Sequence, residues 1–200
     1  DCNDMACDGD CDQVAYYDDC GECDDSDNTD CVDLNFDLHV GANLISFNAL
    51  PLDGDYSVGA IFDDNGCDIT HIIGQGQGAV NTENGWIGSL DAIYQENGYW
   101  VMVSGDCTLS VGDSDPVSYD ADGEVVYEIE YGNNLISYPF ALSQDLGDGL
   151  GDAAAAIYAI AGESVAALAT ENGFVGSLGD FVSGKGYWLV ATADFSFSFN

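Results

Sequence analysis

The chain has 200 residues, no arginine and a single lysine, Lys185, against 37 aspartates and glutamates. The formal net charge is −36, so lysine and arginine cannot neutralise the carboxylates. Nucleic acid and anionic membranes repel such a surface, which argues against both as partners. Counterions must come from solution. Divalent cations are the obvious candidates, and a solvated acidic coat suited to high salt is the alternative. No apolar run is long enough to span a bilayer, so membrane insertion is not expected. There is no initiator methionine and no signal peptide; a start at Asp1 fits a processed or excised secreted product.

Histidine is scarce too. His39 and His71 stand apart in the sequence, without the neighbours at fixed spacing that a catalytic or metal-binding histidine needs, and both are read as surface or strand residues. Carboxylates suffice in number for a two-carboxylate glycosidase, but nearly all lie in loops of Asp, Gly and Asn. No basic residue is placed to bind phosphate or stabilise an oxyanion, so no enzyme is expected. Gly74-Gln75-Gly76-Gln77-Gly78 lacks the lysine and helix of a phosphate loop and reads as a flexible connection between strands.

What is abundant is apolar side chain: 46% of residues are hydrophobic and 12% aromatic, enough that most of the chain must fold. Much of it repeats. Gly41-Ala42-Asn43-Leu44-Ile45-Ser46, Asn84-Gly85-Trp86-Ile87-Gly88-Ser89-Leu90 and Gly98-Tyr99-Trp100-Val101 return as Gly132-Asn133-Asn134-Leu135-Ile136-Ser137, Asn172-Gly173-Phe174-Val175-Gly176-Ser177-Leu178 and Gly186-Tyr187-Trp188-Leu189. Blocks in one order at nearly one spacing mean a duplicated module. The expected fold is mostly β: two homologous small β-sandwich or barrel modules with short helices, at 34–113 and 126–200, joined by a linker at 114–125.

Within the modules, Leu34–Val40 alternates apolar and polar residues, the mark of a half-buried strand. Further strands are expected at Leu44–Phe47, Ile69–Ile73, Tyr99–Val103, Thr108–Val111 and Phe195–Phe199. Ser57 is placed to cap a short helix through Phe62, and Asp152 a short alanine helix from Ala153 to Tyr158. Asn84-Gly85 and Asn172-Gly173 signal type I′ hairpins. The second module is read as having a longer loop at Asp145–Asp152 and as lacking the counterpart of Asp63–Thr70. Cys67 would then lie in a loop peculiar to the first module, and Cys107 stands where the second has Phe195, so these two cysteines are expected to bond to each other. Tyr99-Trp100 and Tyr187-Trp188 could offer sugar-stacking rings, but a strand apolar on both faces reads better as central and buried.

The first 33 residues differ in kind. Cys2, Cys7, Cys11, Cys20, Cys23 and Cys31 are interleaved with Asp and Asn, and apolar residues are too few for a core. The six are expected to pair among themselves, with 15 possible connectivities. Carboxylates on alternate residues of a turning backbone can converge on a hard cation, and two runs suggest calcium: Asp8, Asp10 and Asp12, and Asp24, Asp25, Asp27 and Asp30. Neither run is a full EF-hand loop. Zinc at Cys20 and Cys23 is the weaker reading, since no second cysteine pair follows. Asp120-Ala121-Asp122-Gly123-Glu124 reads better as an ordinary turn than as a third calcium loop.

Tyr17-Asp18-Asp19-Cys20-Gly21-Glu22-Cys23 resembles short repeats of secreted bacterial surface proteins and, distantly, thrombospondin type 3 repeats, which implies calcium and cystine staples. The modules resemble Gly-x-Asn-Leu-Ile-Ser…Gly-Tyr-Trp-Val domains of large secreted bacterial proteins, which act as stalk, adhesion or surface-layer units and have no active site to transfer. The resulting expectation is a secreted structural protein whose copies associate into a filament, stalk or surface layer, with association through the N-terminal segment and the final strand. A carbohydrate-binding or adhesin module is the alternative, with a glycan as partner.

Overall fold

The structure is a computed structural model that describes residues 16–17, 23–24, 32–63, 65–116 and 125–200, as backbone alone at 16, 17, 23, 24, 113, 115 and 116. A small antiparallel pair, β1 (Tyr16–Tyr17) and β2 (Cys23–Asp24), precedes the first module. That module contains β3 (Val32–Leu38), β4 (Gly41–Ser46), β5 (Ala49–Pro51), α1 (Val58–Phe62), β6 (Ile69–Gly74), β7 (Gln77–Thr82), β8 (Gly85–Gly88), β9 (Gly98–Val103) and β10 (Cys107–Pro116). Its strands form a three-stranded sheet, β3-β10-β5, and a five-stranded sheet, β4-β9-β6-β7-β8. Every pairing in them is antiparallel.

The core lies between these sheets. Leu34, Phe36 and Leu38 alternate inward from β3, and Ile45, Ile72, Tyr99, Val101 and Val103 point to the same cluster from the larger sheet. Phe47 is fully buried and makes edge contacts with Phe36, Phe62 and Tyr99. Cys67 and Cys107 form the expected disulfide, with a Cα–Cα distance of 5.5 Å.

The second module repeats the plan with β11 (Tyr127–Ile129), β12 (Gly132–Ile136), β13 (Gln144–Asp145), α2 (Leu146–Leu150), β14 (Ile157–Gly162), β15 (Val165–Thr170), β16 (Gly173–Gly176), β17 (Asp180–Phe181), β18 (Tyr187–Ala191) and β19 (Phe195–Phe197). Its five-stranded sheet, β12-β18-β14-β15-β16, matches the first strand for strand, and the pairs β11-β19 and β13-β17 complete it. Phe199 is buried against Tyr127, Tyr138 and Phe181, while Phe195 and Phe197 are half-buried on the same core. The terminal phenylalanines therefore close the module's own core, as Leu109 and Val111 do in the first.

Several expectations need correction. No segment matching Asp63–Thr70 is missing. α1 and α2 are counterparts, and six residues separate each from the strand that follows. The shortening falls earlier, between Tyr138 and Asp145. Cys67 therefore has a counterpart, Ala155, and the disulfide exists without the loop difference used to infer it. Asp145, not Asp152, caps the second helix: its carboxylate accepts from the amides of Gly147 and Asp148, as Ser57 accepts from Ala60 in the first. Gly151, at φ +49°, ends α2, and 151–156 form a 3₁₀ turn rather than an alanine helix. The strand β14 begins at Ile157. The boundaries 34 and 113 also fall inside elements, since β3 starts at Val32 and β10 runs to Pro116.

The hairpins are not type I′, which needs positive φ at both central residues. Glu83 and Asn84 are the central residues, Thr82 pairs with Gly85, and Gly85 alone is left-handed, at φ +91°. Thr82 Oγ1 accepts from the Asn84 amide and donates to the Gly85 carbonyl. Thr170, Asn172 and Gly173 repeat both bonds. Gly74–Gly78 is likewise no loose connection but a tight turn at Gln75-Gly76, closed by Gly74 pairing with Gln77.

Candidate functional site

The repeated blocks meet where the modules join. In each module an asparagine first fixes the turn before the edge strand. Asn43 accepts from the His39 amide at 3.0 Å and donates to the His39 carbonyl at 2.8 Å. Asn134 makes the same two bonds to Glu130, at 3.0 and 2.8 Å. Both amides are buried and satisfied, as buried polar groups must be. The next residues alternate: Ile45 and Ile136 enter their own cores, while Leu44 and Leu135 are equally buried but belong to neither.

Those two leucines cover the opposite module's glycine. A Cβ built on Gly186 would lie 3.0 Å from Leu44 Cδ1, and one on Gly98 would lie 3.1 Å from Leu135 Cδ1. The backbone follows the same reciprocity. Ser46 donates its amide to Gly184 O at 3.0 Å, and Ser137 donates to Glu96 O at 3.1 Å. Isolated antiparallel bridges join Ile45 to Lys185 and Asn97 to Ile136. The Leu44 amide donates to Glu163 Oε2 at 3.1 Å, and the Leu135 amide to Gln75 Oε1 at 2.6 Å. Each contact has a counterpart with the modules exchanged, so the pair is a pseudo-two-fold dimer within one chain. Ser46 Oγ departs from this symmetry, donating to Lys185 O at 2.7 Å and accepting from the Tyr138 amide at 3.2 Å.

Two clefts flank the junction. One, of about 240 Å³, is lined by Phe36, Asp37, Ile45, Asn48, Gly184 and Lys185. The other, of about 340 Å³, is lined by Gln75, Glu96, Asn97, Glu130, Asn134 and Leu135. On the first side His39 is not isolated: its Nε2 lies 2.5 Å from Glu163 Oε1, and its Nδ1 lies 2.9 Å from Val40 O. The Glu163 bond, then the Val40 carbonyl, raise the His39 pKa above its ordinary 6.5. Partial burial opposes ionisation of Glu163, but the bonds from His39 and the Leu44 amide outweigh it and hold the carboxyl below its ordinary value.

A second feature spans both five-stranded sheets. Their ten strands contain no aspartate, glutamate, lysine or arginine, although the chain has 37 acids. The small sheets, by contrast, carry Asp33, Asp37 and Glu128. On the face away from the core stand Ile73, Val80 and Ile87, at 40%, 40% and 60% exposure, and Leu168 and Val175, at 50% and 62%. Val80 pairs with Ile87 and Leu168 with Val175, so the same cross-strand apolar pair recurs in each module. Trp100 and Trp188 lie half-buried on this face, which corrects the expectation that both faces of their strands are buried. Only the tyrosine side faces inward. Tyr99 accepts from the Tyr94 amide at 2.8 Å and Tyr187 from the Val182 amide at 2.7 Å, and burial pushes both phenols up to about 12.

The predicted metal ligands Asp8, Asp10, Asp12, Asp25, Asp27 and Asp30 lie outside the described residues, as does the 120–124 loop. So do Cys2, Cys7, Cys11, Cys20 and Cys31; Asp24 and Cys23 are described only as backbone of β2. Among the described residues no group of three or more His, Cys, Asp or Glu is placed to hold a metal ion, and no helix is long and apolar enough to cross a membrane. In the sequence, Gly98 and Gly186 stand out only as members of repeated blocks and Gln75 only as part of the 74–78 connection, with no role at a junction, and Glu163 not at all. Their signal was positional: Gln75 and Glu163 occupy one place in the repeat, as do the two glycines. No protein family, curated protein or solved structure matches the chain.

Proposed function

We propose that the protein is an extracellular structural subunit whose copies associate through the outer faces of the two five-stranded sheets. The observation that carries this reading is the absence of charged residues from ten strands of a chain with net charge −36. Two copies meeting face to face bring aliphatic side chains together without opposing carboxylates. An apolar sheet face of this kind serves as an interaction surface. The acidic loops around it set a long-range repulsion that salt screens. Calcium held by Asp8, Asp10, Asp12, Asp24, Asp25, Asp27 and Asp30 is a further part of the proposal, as a means of neutralising the N-terminal segment.

Sedimentation velocity tests it. The wild type should form larger species as protein and salt concentrations rise, and an I87D/V175D variant should stay monomeric with an unchanged circular dichroism spectrum. A wild type that remains monomeric in 1 M sodium chloride and in millimolar calcium sinks the reading. Calorimetric titration with calcium checks the second part, with affinity expected at roughly 10⁻⁴–10⁻³ M.

A glycan-binding module is the rival, favoured by one half-buried tryptophan at the same place on each outer face. Aliphatic rather than polar neighbours around those rings weigh for assembly. Glycan binding abolished by W100A and W188A, in a protein that does not self-associate, would favour the rival.

A further inference from the structure

The junction is symmetric in its backbone and asymmetric in its charge. On one side His39 meets Glu163. At the mirrored place Glu130 and Gln75 line one cleft. We propose that these four residues are specificity determinants that select the unlike pair of modules as partners and reject pairing of the second module with its own kind. This goes beyond the assembly reading and does not depend on it, since the surface concerned is the junction and not the outer faces.

The argument compares the pairings that one backbone geometry permits. Two second modules would set Glu130 opposite Glu163 on both sides of the axis, and the chain offers no cation there except Lys185. Two first modules would set His39 opposite Gln75 twice, with no ion pair. The unlike pair alone gives one histidine–glutamate contact and places a glutamate and a neutral glutamine in the other cleft. Specificity is a difference between affinities, and a like-charge contact in the wrong pair contributes as much as an ion pair in the right one. The backbone does not dictate the choice of side chain. Gln75 and Glu163 perform the same service for it, accepting the amides of Leu135 and Leu44. What differs is the residue opposite, an acid for the glutamine and a histidine for the glutamate.

The test uses the full chain with a protease site inserted between residues 117 and 124, cut after folding, so that the affinity of the two halves can be measured by sedimentation. The wild-type halves should stay together. Q75E keeps the acceptor for the Leu135 amide but faces Glu130 with a second carboxylate, and should weaken the pair about three- to fivefold. E163Q should weaken it similarly, by losing the His39 pair. Q75E/E130H rebuilds the His39–Glu163 arrangement on the mirrored side and should recover the wild-type affinity. The Q75E penalty should shrink in 1 M salt, which a merely structural defect would not do. Wild-type halves that separate on cutting, a Q75E junction as tight as wild type, or a Q75E/E130H junction no tighter than Q75E would each overturn the proposal.

Discussion

Gly98 and Gly186 meet across the junction: a Cβ on Gly98 would lie 3.3 Å from the Cα of Gly186, and one on Gly186 would lie 3.2 Å from the Cα of Gly98. Each is also closed in by backbone, Gly98 by Ile136 O at 2.7 Å and Gly186 by Ile45 O at 2.8 Å from the added carbon. Carbonyls held in bridges cannot retreat as a flexible side chain would. G98A and G186A should therefore each destabilise the protein by about 1–3 kcal/mol, the range for forcing extra atoms into packed structure. G105A, where nothing lies within 4 Å, is the control. Urea midpoints decide it, and a G98A protein as stable as G105A would mean that the modules do not approach as described.

The Cys67–Cys107 bond joins residues 40 apart in sequence. In the chain-entropy account its loss costs about 4 kcal/mol. C67A/C107A should melt well below the wild type, whereas reductant should leave the melting of C67A/C107A less affected than that of the wild type. Non-reducing peptide mapping should recover the two cysteines linked. Recovery of either one bonded to the N-terminal six would contradict the pairing.

The His39–Glu163 contact makes junction stability depend on pH with a definite sign. His39 has a raised folded pKa, so its contribution is complete below the ordinary 6.5 and is lost as pH rises through the folded value. Glu163 has a lowered folded pKa, so its contribution is complete above the ordinary 4.5 and is lost as pH falls through the folded value. The charges facing the pair are Asp106 near His39 and Lys185 near Glu163. The stability difference between wild type and E163Q should be greatest between about pH 4.5 and 6.5 and should shrink on either side. Subtracting the variant removes the repulsion common to both proteins. A difference that stays flat from pH 5 to 9 would exclude the ion pair as its source.

Ser164 is left-handed at φ +61°, in the turn where the first module uses Gly76 at φ +71°. A serine in that region is strained relative to glycine by about 1–2 kcal/mol, partly offset by the greater freedom of glycine in the unfolded chain. S164G should leave stability unchanged or raise it by up to about 1 kcal/mol, and G76S should lower it. Equal and opposite effects on the two urea midpoints are not required, but a clear loss in S164G would show that Ser164 makes a contact of its own.

The modules and most of their strands were legible because alternation, repeated blocks and turn residues report what each segment buries. The cystine was paired correctly, but from a loop difference that the fold does not have. Leu34, Phe36 and Leu38 point inward as their spacing predicts. The junction was not legible, for a physical reason. Most of it is made of amides, carbonyls and glycines, and the two sides come from positions far apart in the chain. Leu44 and Leu135 look in sequence like any core leucine; nothing in their spacing says that their core is shared. The alanine run at 153–156 misled through propensity: Gly151 had already ended the helix, and the sheet claims Ile157 six residues later. His39 looked solitary because its partner lies 124 residues away.

The tandem arrangement has a consequence for what the sequence is able to specify. In a symmetric dimer of identical subunits, the positions of Gln75 and Glu163 would be one codon, and those of His39 and Glu130 another. Any acid introduced at one contact would appear at its mirror image as well. A chain that carries both halves encodes them separately, so one cleft can hold a histidine–glutamate pair while the other holds glutamate and glutamine. Unequal charges across an equal backbone are a vocabulary that a dimer of identical subunits lacks.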